Sequence, residues 1–230
     1  MQINLDKSVF IGLGTTGLKI CEQIRSRYES YFGRGGIPEV TEFITIDSVE
    51  NLSYLKTGNK TVINIGIAGK LGEISKKFNS TKEALDRVGN DNPKDIALKN
   101  EVASEDFELS KQLMDWMDPE VLNDVSIFVA GAGHWRQAGR LCVWYALAKG
   151  AGNDMRHNIH SNIKAAIESV SFGASHDSER IQERVRRLYG DGTTAVVGNK
   201  VHVFILGTLA GGTCSGSFID IAHLARDGVG

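Results

Sequence analysis

Two apolar runs in this chain end in glycine-rich turns that open directly into helical patterns. This repeated strand, turn and helix signature restricts the fold more than any other feature. The first run, Val9-Phe10-Ile11, leads into Gly12-Leu13-Gly14-Thr15-Thr16-Gly17. The second, Val201-His202-Val203-Phe204-Ile205-Leu206, leads into Gly207-Thr208-Leu209-Ala210-Gly211-Gly212-Thr213-Cys214-Ser215-Gly216-Ser217. A turn of small residues at a helix start presents unpaired backbone N–H groups at the positive end of the helix dipole. Two such turns can therefore converge on one polyphosphate.

The stretches between these turns read as alternating strands and helices. Leu18, Cys21, Ile24 and Tyr28 recur at helical spacing until Gly33-Arg34-Gly35-Gly36-Ile37-Pro38 breaks the pattern. Phe43-Ile44-Thr45-Ile46 predicts a second strand ending at Asp47, and Val62-Ile63-Asn64-Ile65 a weaker third. Residues 69 to 123 read as polar helix with stops near Gly89-Asn90-Asp91-Asn92-Pro93 and Asp118-Pro119, with Phe107, Leu113, Met114 and Met117 as a buried face. Val125-Ser126-Ile127-Phe128-Val129 predicts a buried strand before a third small-residue turn, Ala130-Gly131-Ala132-Gly133. Helical patterns follow at about 136 to 150, 158 to 170 and 177 to 189. The alternation favours an α/β fold with a doubly wound, mostly parallel sheet flanked by helices.

At 230 residues, 41% hydrophobic and 23% charged, the chain can bury a core as a single domain. A net charge of −2 and a sequence pI near 6.3 argue against nucleic acid as a partner. No apolar run reaches the ~20 residues that cross a bilayer, and the first residues lack a signal-peptide layout, so no membrane insertion and a cytoplasmic location are expected. Cys21, Cys142 and Cys214 are widely spaced and odd in number, which predicts reduced thiols.

Taken alone, Gly12-x-Gly14-x-x-Gly17 is the pattern of a Rossmann dinucleotide site, which would make the chain an NAD-dependent oxidoreductase. That site wants an acidic residue about 20 residues beyond the glycines. Asp47 stands at a strand tip but 30 residues after Gly17, a loose fit.

The other loops point elsewhere. Ala210-Gly211-Gly212-Thr213-Cys214-Ser215-Gly216 resembles the tubulin signature GGGTGSG, written GGGTGTG in FtsZ, agreeing at five of seven positions. Gly131-Ala132-Gly133-His134-Trp135-Arg136-Gln137-Ala138-Gly139-Arg140 resembles the FtsZ stretch GAGANPEVGR, and Thr45-Ile46-Asp47-Ser48 with Leu52 resembles its NTDxxxL loop. With Gly12 to Gly17, four loops occur in the family's order. The chain thus resembles the nucleotide-binding domain of the tubulin/FtsZ superfamily, in the manner of a divergent bacterial tubulin-like protein.

That resemblance implies a GTP- and GDP-binding domain with Mg²⁺. Gly14, Thr15, Thr16 and Gly17 would lie against the α- and β-phosphates. Gly211, Gly212, Thr213, Cys214, Ser215 and Gly216 would wrap the β- and γ-phosphates, Ala132 and Gly133 would reach the γ-phosphate, and Asp47 would hold the metal. Glycine suits such places because a β-carbon would block backbone approach or a positive φ. Cys214, where the family has glycine, implies either a reshaped turn or an ordinary φ. Replacing Gly212 and Thr213 together by alanine is expected to lower triphosphate affinity without unfolding the chain.

Plainer roles also suit some of these residues. Asp47 can cap the turn that follows it, and Trp135 reads as a surface or packing aromatic. His157 and His160 have metal-compatible spacing but no evident third ligand. Arg180, Arg184, Arg186 and Arg187, interleaved with Glu179 and Glu183, read as a solvated helix face with i,i+4 pairs.

The chain departs from the family pattern in two ways. About 60 residues separate Arg140 from Val201, so residues 150 to 195 read as a helical insertion. The family's second domain, whose acidic loop completes the active site of the neighbouring subunit, would follow the signature loop, and no such sequence is present. The resemblance therefore implies one nucleotide-binding domain over residues 1–230, a fragment marginal on its own, with no catalytic residue of its own. Full-length chains would self-associate head to tail into filaments or oligomers and hydrolyse GTP at the junctions. A non-hydrolysing nucleotide-sensing or scaffold module fits the same loops.

Overall fold

The computed structural model describes residues 1–32, 40–49, 61–88, 112–124, 128, 131–148, 154–176 and 178–229. Four strands form one all-parallel sheet: β1 (Gln2–Leu13), β2 (Thr41–Asp47), β3 (Thr61–Asn64) and β4 (Thr194–Leu206), in the spatial order β3-β2-β1-β4. The register places Val9, Phe10 and Ile11 beside Glu42, Phe43 and Ile44 on one side and beside Val203, Phe204 and Ile205 on the other. These β-branched and aromatic residues suit a pleated surface packed on both faces.

The helices among the described residues are α1 (Gly14–Phe32), α2 (Leu71–Val88), α3 (Pro119–Asn123), α4 (Arg136–Ala148), α5 (Asp154–His176), α6 (Ser178–Tyr189) and α7 (Gly212–Val229), with a 3₁₀ turn at Ala68–Lys70. Alternate residues of β1 divide the interior into two layers. Val9, Ile11 and Leu13 join Ile44, Ile46 and Ile63 in the main core, which is closed by α2, α4, α5 and α7. Phe10 and Phe43 face the other way with Cys21 of α1, and the Phe10 ring stacks on Phe43 at 5.1 Å and on Phe204 at 5.0 Å between centroids. Helices therefore cover both faces, which is the doubly wound arrangement expected from the alternation.

Both long strands start earlier than their apolar runs. In the first half of β1, Ile3 and Leu5 are half-buried while Gln2, Asn4 and Asp6 are exposed, and this half pairs with Thr194–Val197. A two-sided apolar run does not reveal a strand that is only half covered. The main core also includes Ile159, Ile163, Ala166, Ile167 and Val170 of α5, so the segment between α4 and β4 supplies part of the central packing. Of the strand expected at Val125–Val129, only Phe128 is described; it is buried and has helical backbone, and its neighbours lie outside the described residues. The turns at residues 33–38 and 89–93, Leu52 and Phe107 also lie outside them.

Elsewhere the expected faces are found. Leu113 and Met117 are buried. Ile181 and Val185 anchor α6, whose Glu179, Arg186 and Arg187 are exposed and whose Glu183 pairs with Arg187. His160 is exposed, the His157 side chain lies outside the described residues, and no metal-ligating cluster of three occurs among the described residues.

Candidate functional site

Chain topology places a crevice between β1 and β4. From β1 the chain crosses through α1 to β2 on one side, while β4 lies on the other, so the strand order reverses between them. Loops leaving two parallel strands at such a point diverge and open a crevice at the carboxyl ends of the sheet. Here those loops are Leu13-Gly14, entering α1, and Gly207 to Gly211, entering α7.

A cavity of about 240 Å³ fills this crevice. Its wall includes Gly14, Thr15 and Thr16 from the start of α1, Asp47 and Val49 from the end of β2, Ala132 and Gly133 from the turn before α4, and Thr208, Gly211, Gly212, Thr213 and Cys214 from the turn into α7. Ten of the residues singled out from the sequence thus come together. Gly17, Ser215 and Gly216 do not line the cavity. They sit inside their helices, where small side chains serve packing: a β-carbon on Gly17 would meet the Leu206 carbonyl oxygen, and one on Gly216 the Arg136 carbonyl oxygen and Arg140 nitrogen.

Gly212 has both roles. It lines the cavity, yet a β-carbon there would fall 2.5 Å from the Trp135 carbonyl oxygen and closer still to that of Ala132. Alanine at Gly212 therefore breaks the joint between α7 and the turn before α4. This overturns the expectation that the double alanine variant keeps its fold, and Thr213→Ala alone is the cleaner probe. Positive φ is confined to other places in the site: Gly14 at 68°, Gly131 at 84° and Gly133 at 51°. Cys214 is helical, so the ordinary-φ alternative holds there, and its buried sulfur packs towards Gly207.

Hydrogen bonds tie the loops together. Gly212 N–H donates to the Gly133 carbonyl at 2.7 Å, joining the α7 start to the turn before α4. Thr15 Oγ1 donates to Asp47 Oδ2 at 3.1 Å, and Val49 N–H donates to Asp47 Oδ1 at 3.3 Å. Asp47 therefore caps its own turn and also lines the cavity. Burial raises its carboxyl above the ordinary value, against the opposing pull of the hydrogen bonds from Val49, Thr15 and Ser48. His134 Nδ1 lies 3.0 Å from the Ala210 carbonyl oxygen, and Trp135, next in the chain, is exposed.

Ser48 is the residue that sequence reasoning passed over. Its side chain is fully buried, accepts from Ala132 N–H at 2.9 Å and lies 2.7 Å from Thr213 Oγ1. One hydroxyl thereby joins the loops after β2, before α4 and after β4. A hydroxyl residue directly after an acidic strand end is the available signal, and it is too common to single out.

The wall suits an anion accompanied by a cation. A helix start leaves N–H groups without an intrahelical partner, though at the turn into α7 the Gly211 and Gly212 N–H groups already donate to the Thr208 and Gly133 carbonyls, and neither α1 nor α7 has an acidic residue in its first turn. Among the described residues no Lys or Arg lines the cavity. Backbone donors can orient phosphate oxygens but leave most of their charge uncompensated, and Asp47 is the one carboxylate among the described wall residues able to hold a neutralising metal. Around the point where a Gly133 β-carbon would stand there is open space, which leaves the backbone free for close approach by a ligand.

The sequence profile of a family described as "Tubulin like" matches residues 9–230. The chain belongs to this tubulin-like family. Neither the curated proteins nor the solved structures compared with it match the chain. For this tubulin-like protein the family match runs from the start of the buried half of β1 through all the loops around the cavity. No described helix is long and apolar enough to cross a membrane.

Proposed function

We propose that this tubulin-like protein binds GTP and GDP in the cavity between β1 and β4, with Mg²⁺ held at Asp47. The observation that carries this reading is the wall itself: two helix starts and two φ-positive glycines around a buried carboxylate, with no basic side chain among the described residues. Gly14, Thr15 and Thr16 orient the inner phosphates; Gly211, Gly212, Thr213 and Cys214 wrap the outer ones; Ala132 and Gly133 stand where a terminal phosphate would end. The magnesium ion, when bound, neutralises phosphate charge and polarises the phosphate oxygens. Guanine preference, a cytoplasmic setting, head-to-tail self-assembly and GTP hydrolysis at the junctions belong to the same proposal, and family membership is what supports them. No residue of this chain is assigned a catalytic role.

The test is calorimetric titration with GTP, ATP and NAD, each with and without Mg²⁺. GTP binding that requires Mg²⁺ is expected. Binding of NAD without metal would overturn the reading in favour of a dinucleotide site, and absence of all binding would favour a scaffold.

A further inference from the structure

We propose that Ser48 is a positioning residue that turns the Thr213 hydroxyl into a donor towards an anion in the cavity, an inference that rests on the polyphosphate reading above. Ser48 is fully buried, so bulk water does not reach its hydroxyl. One of its lone pairs accepts from Ala132 N–H at 2.9 Å. Its hydrogen has one acceptor among the described residues, Thr213 Oγ1 at 2.7 Å. The geometry allows either oxygen of that pair to donate, and the two arrangements differ in what they show the cavity.

If Thr213 donates to Ser48, the Ser48 hydrogen is left without an acceptor among the described residues, and Thr213 presents only lone pairs to the cavity it lines. A buried unpaired hydroxyl is costly, and lone pairs repel an anion. If Ser48 donates, its hydrogen is satisfied and the Thr213 hydrogen is free to reach a phosphate oxygen. The result is a chain of donors running one way, from Ala132 N–H through Ser48 and Thr213 to the anion. Each donor in such a chain is polarised by the one before it, which strengthens the last bond. The backbone of Ala132 is thereby joined through two hydroxyls to a phosphate oxygen that Thr213 contacts.

A double-mutant cycle tests this, with Mg²⁺-tripolyphosphate and Mg²⁺-GTP as calorimetric probes. Ser48→Ala and the size-preserving Ser48→Cys, whose thiol is a weak donor, should each weaken tripolyphosphate binding by about fivefold to tenfold. In a Thr213→Val background, Ser48→Ala should weaken it no further. Circular dichroism on every variant identifies any that fail to fold, and Ser48→Cys then carries the comparison. Unchanged affinity in Ser48→Cys, or an equal loss in both backgrounds, would overturn the relay. Binding of tripolyphosphate but not GTP by the unaltered chain would overturn the guanine reading alone. Binding of neither would overturn both.

Discussion

The Gly139 α-carbon packs directly on the Gly212 carbonyl: the place a β-carbon of Gly139 would occupy is filled by that carbonyl oxygen, with Thr213 Cα 3.0 Å away. Gly216, one turn further along α7, meets Arg136 and Arg140 of α4 in the same way. The two helices thus touch backbone to backbone, and the start of α7 is held at the cavity by this contact.

Gly139→Ala should therefore be strongly destabilising, because the atoms it meets are backbone and cannot rotate away. Overpacking of this kind costs about 3 kcal/mol at the upper end, which lowers Tm by about 6–12 °C in a domain of this size. Thermal unfolding checks it. A variant as stable as the parent would show that α4 and α7 can part freely.

Gly133→Ala should behave differently. Its φ of 51° is left-handed, but no atom of the described residues lies within 4 Å of the new β-carbon. The strain costs about 1–2 kcal/mol, while the methyl group narrows the space for a ligand and should weaken Mg²⁺-GTP binding about tenfold. Binding at the parent's affinity would remove Gly133 from the site.

Asp47 should give a pH-dependent stability difference. Its folded carboxyl is raised above the ordinary 3.8, chiefly by burial. Below 3.8 both folded and unfolded states are protonated and the group contributes nothing. As pH rises from 3.8 towards the raised folded value, the unfolded carboxyl ionises while the folded one stays protonated, so stability falls, and above the folded value it stays reduced. Asp47→Asn removes that loss. In metal-free buffer its Tm should exceed the parent's at neutral pH, with the gap closing in acid. Identical pH profiles for the two proteins would contradict it.

The thiols should be slow to alkylate in the folded chain. Cys21, Cys142 and Cys214 are all buried, and none forms a disulfide among the described residues. Burial, with Glu22 adding to it, pushes the Cys21 thiol up to about 12, and burial also raises Cys214. At pH 8 the Cys21 thiolate fraction is on the order of 10⁻⁴. Iodoacetamide labelling should proceed in denaturant far faster than in native buffer, and Mg²⁺-GTP should slow Cys214 further. Rapid native labelling of Cys214 would mean that the α7 start opens.

The loops were legible because each is written in consecutive residues: an apolar run for the strand, small residues for the turn, a helical period behind. Asp47 could be placed at its strand tip for the same reason. The early halves of β1 and β4 were not legible, since Asn4 and Asp6 interrupt the apolar signal and only pairing with Thr194–Val197 makes that half a strand. Nor was the division of labour among the glycines. Gly14 and Gly133 face the cavity, whereas Gly17, Gly139 and Gly216 admit a neighbouring backbone, and a glycine in sequence looks the same in either role.

By itself, the sequence determined the parallel α/β class, the loops that gather around one crevice, and membership of the tubulin-like family, because local periodicity and turn chemistry are properties of adjacent residues. Only the tertiary structure decided which small residues line the cavity and which close the helix joints. It also decided that α5 builds the core and that Ser48 lies between Ala132 and Thr213. Those relations join residues 84 and 165 positions apart, and distances of that kind exist only once the sheet has set its register.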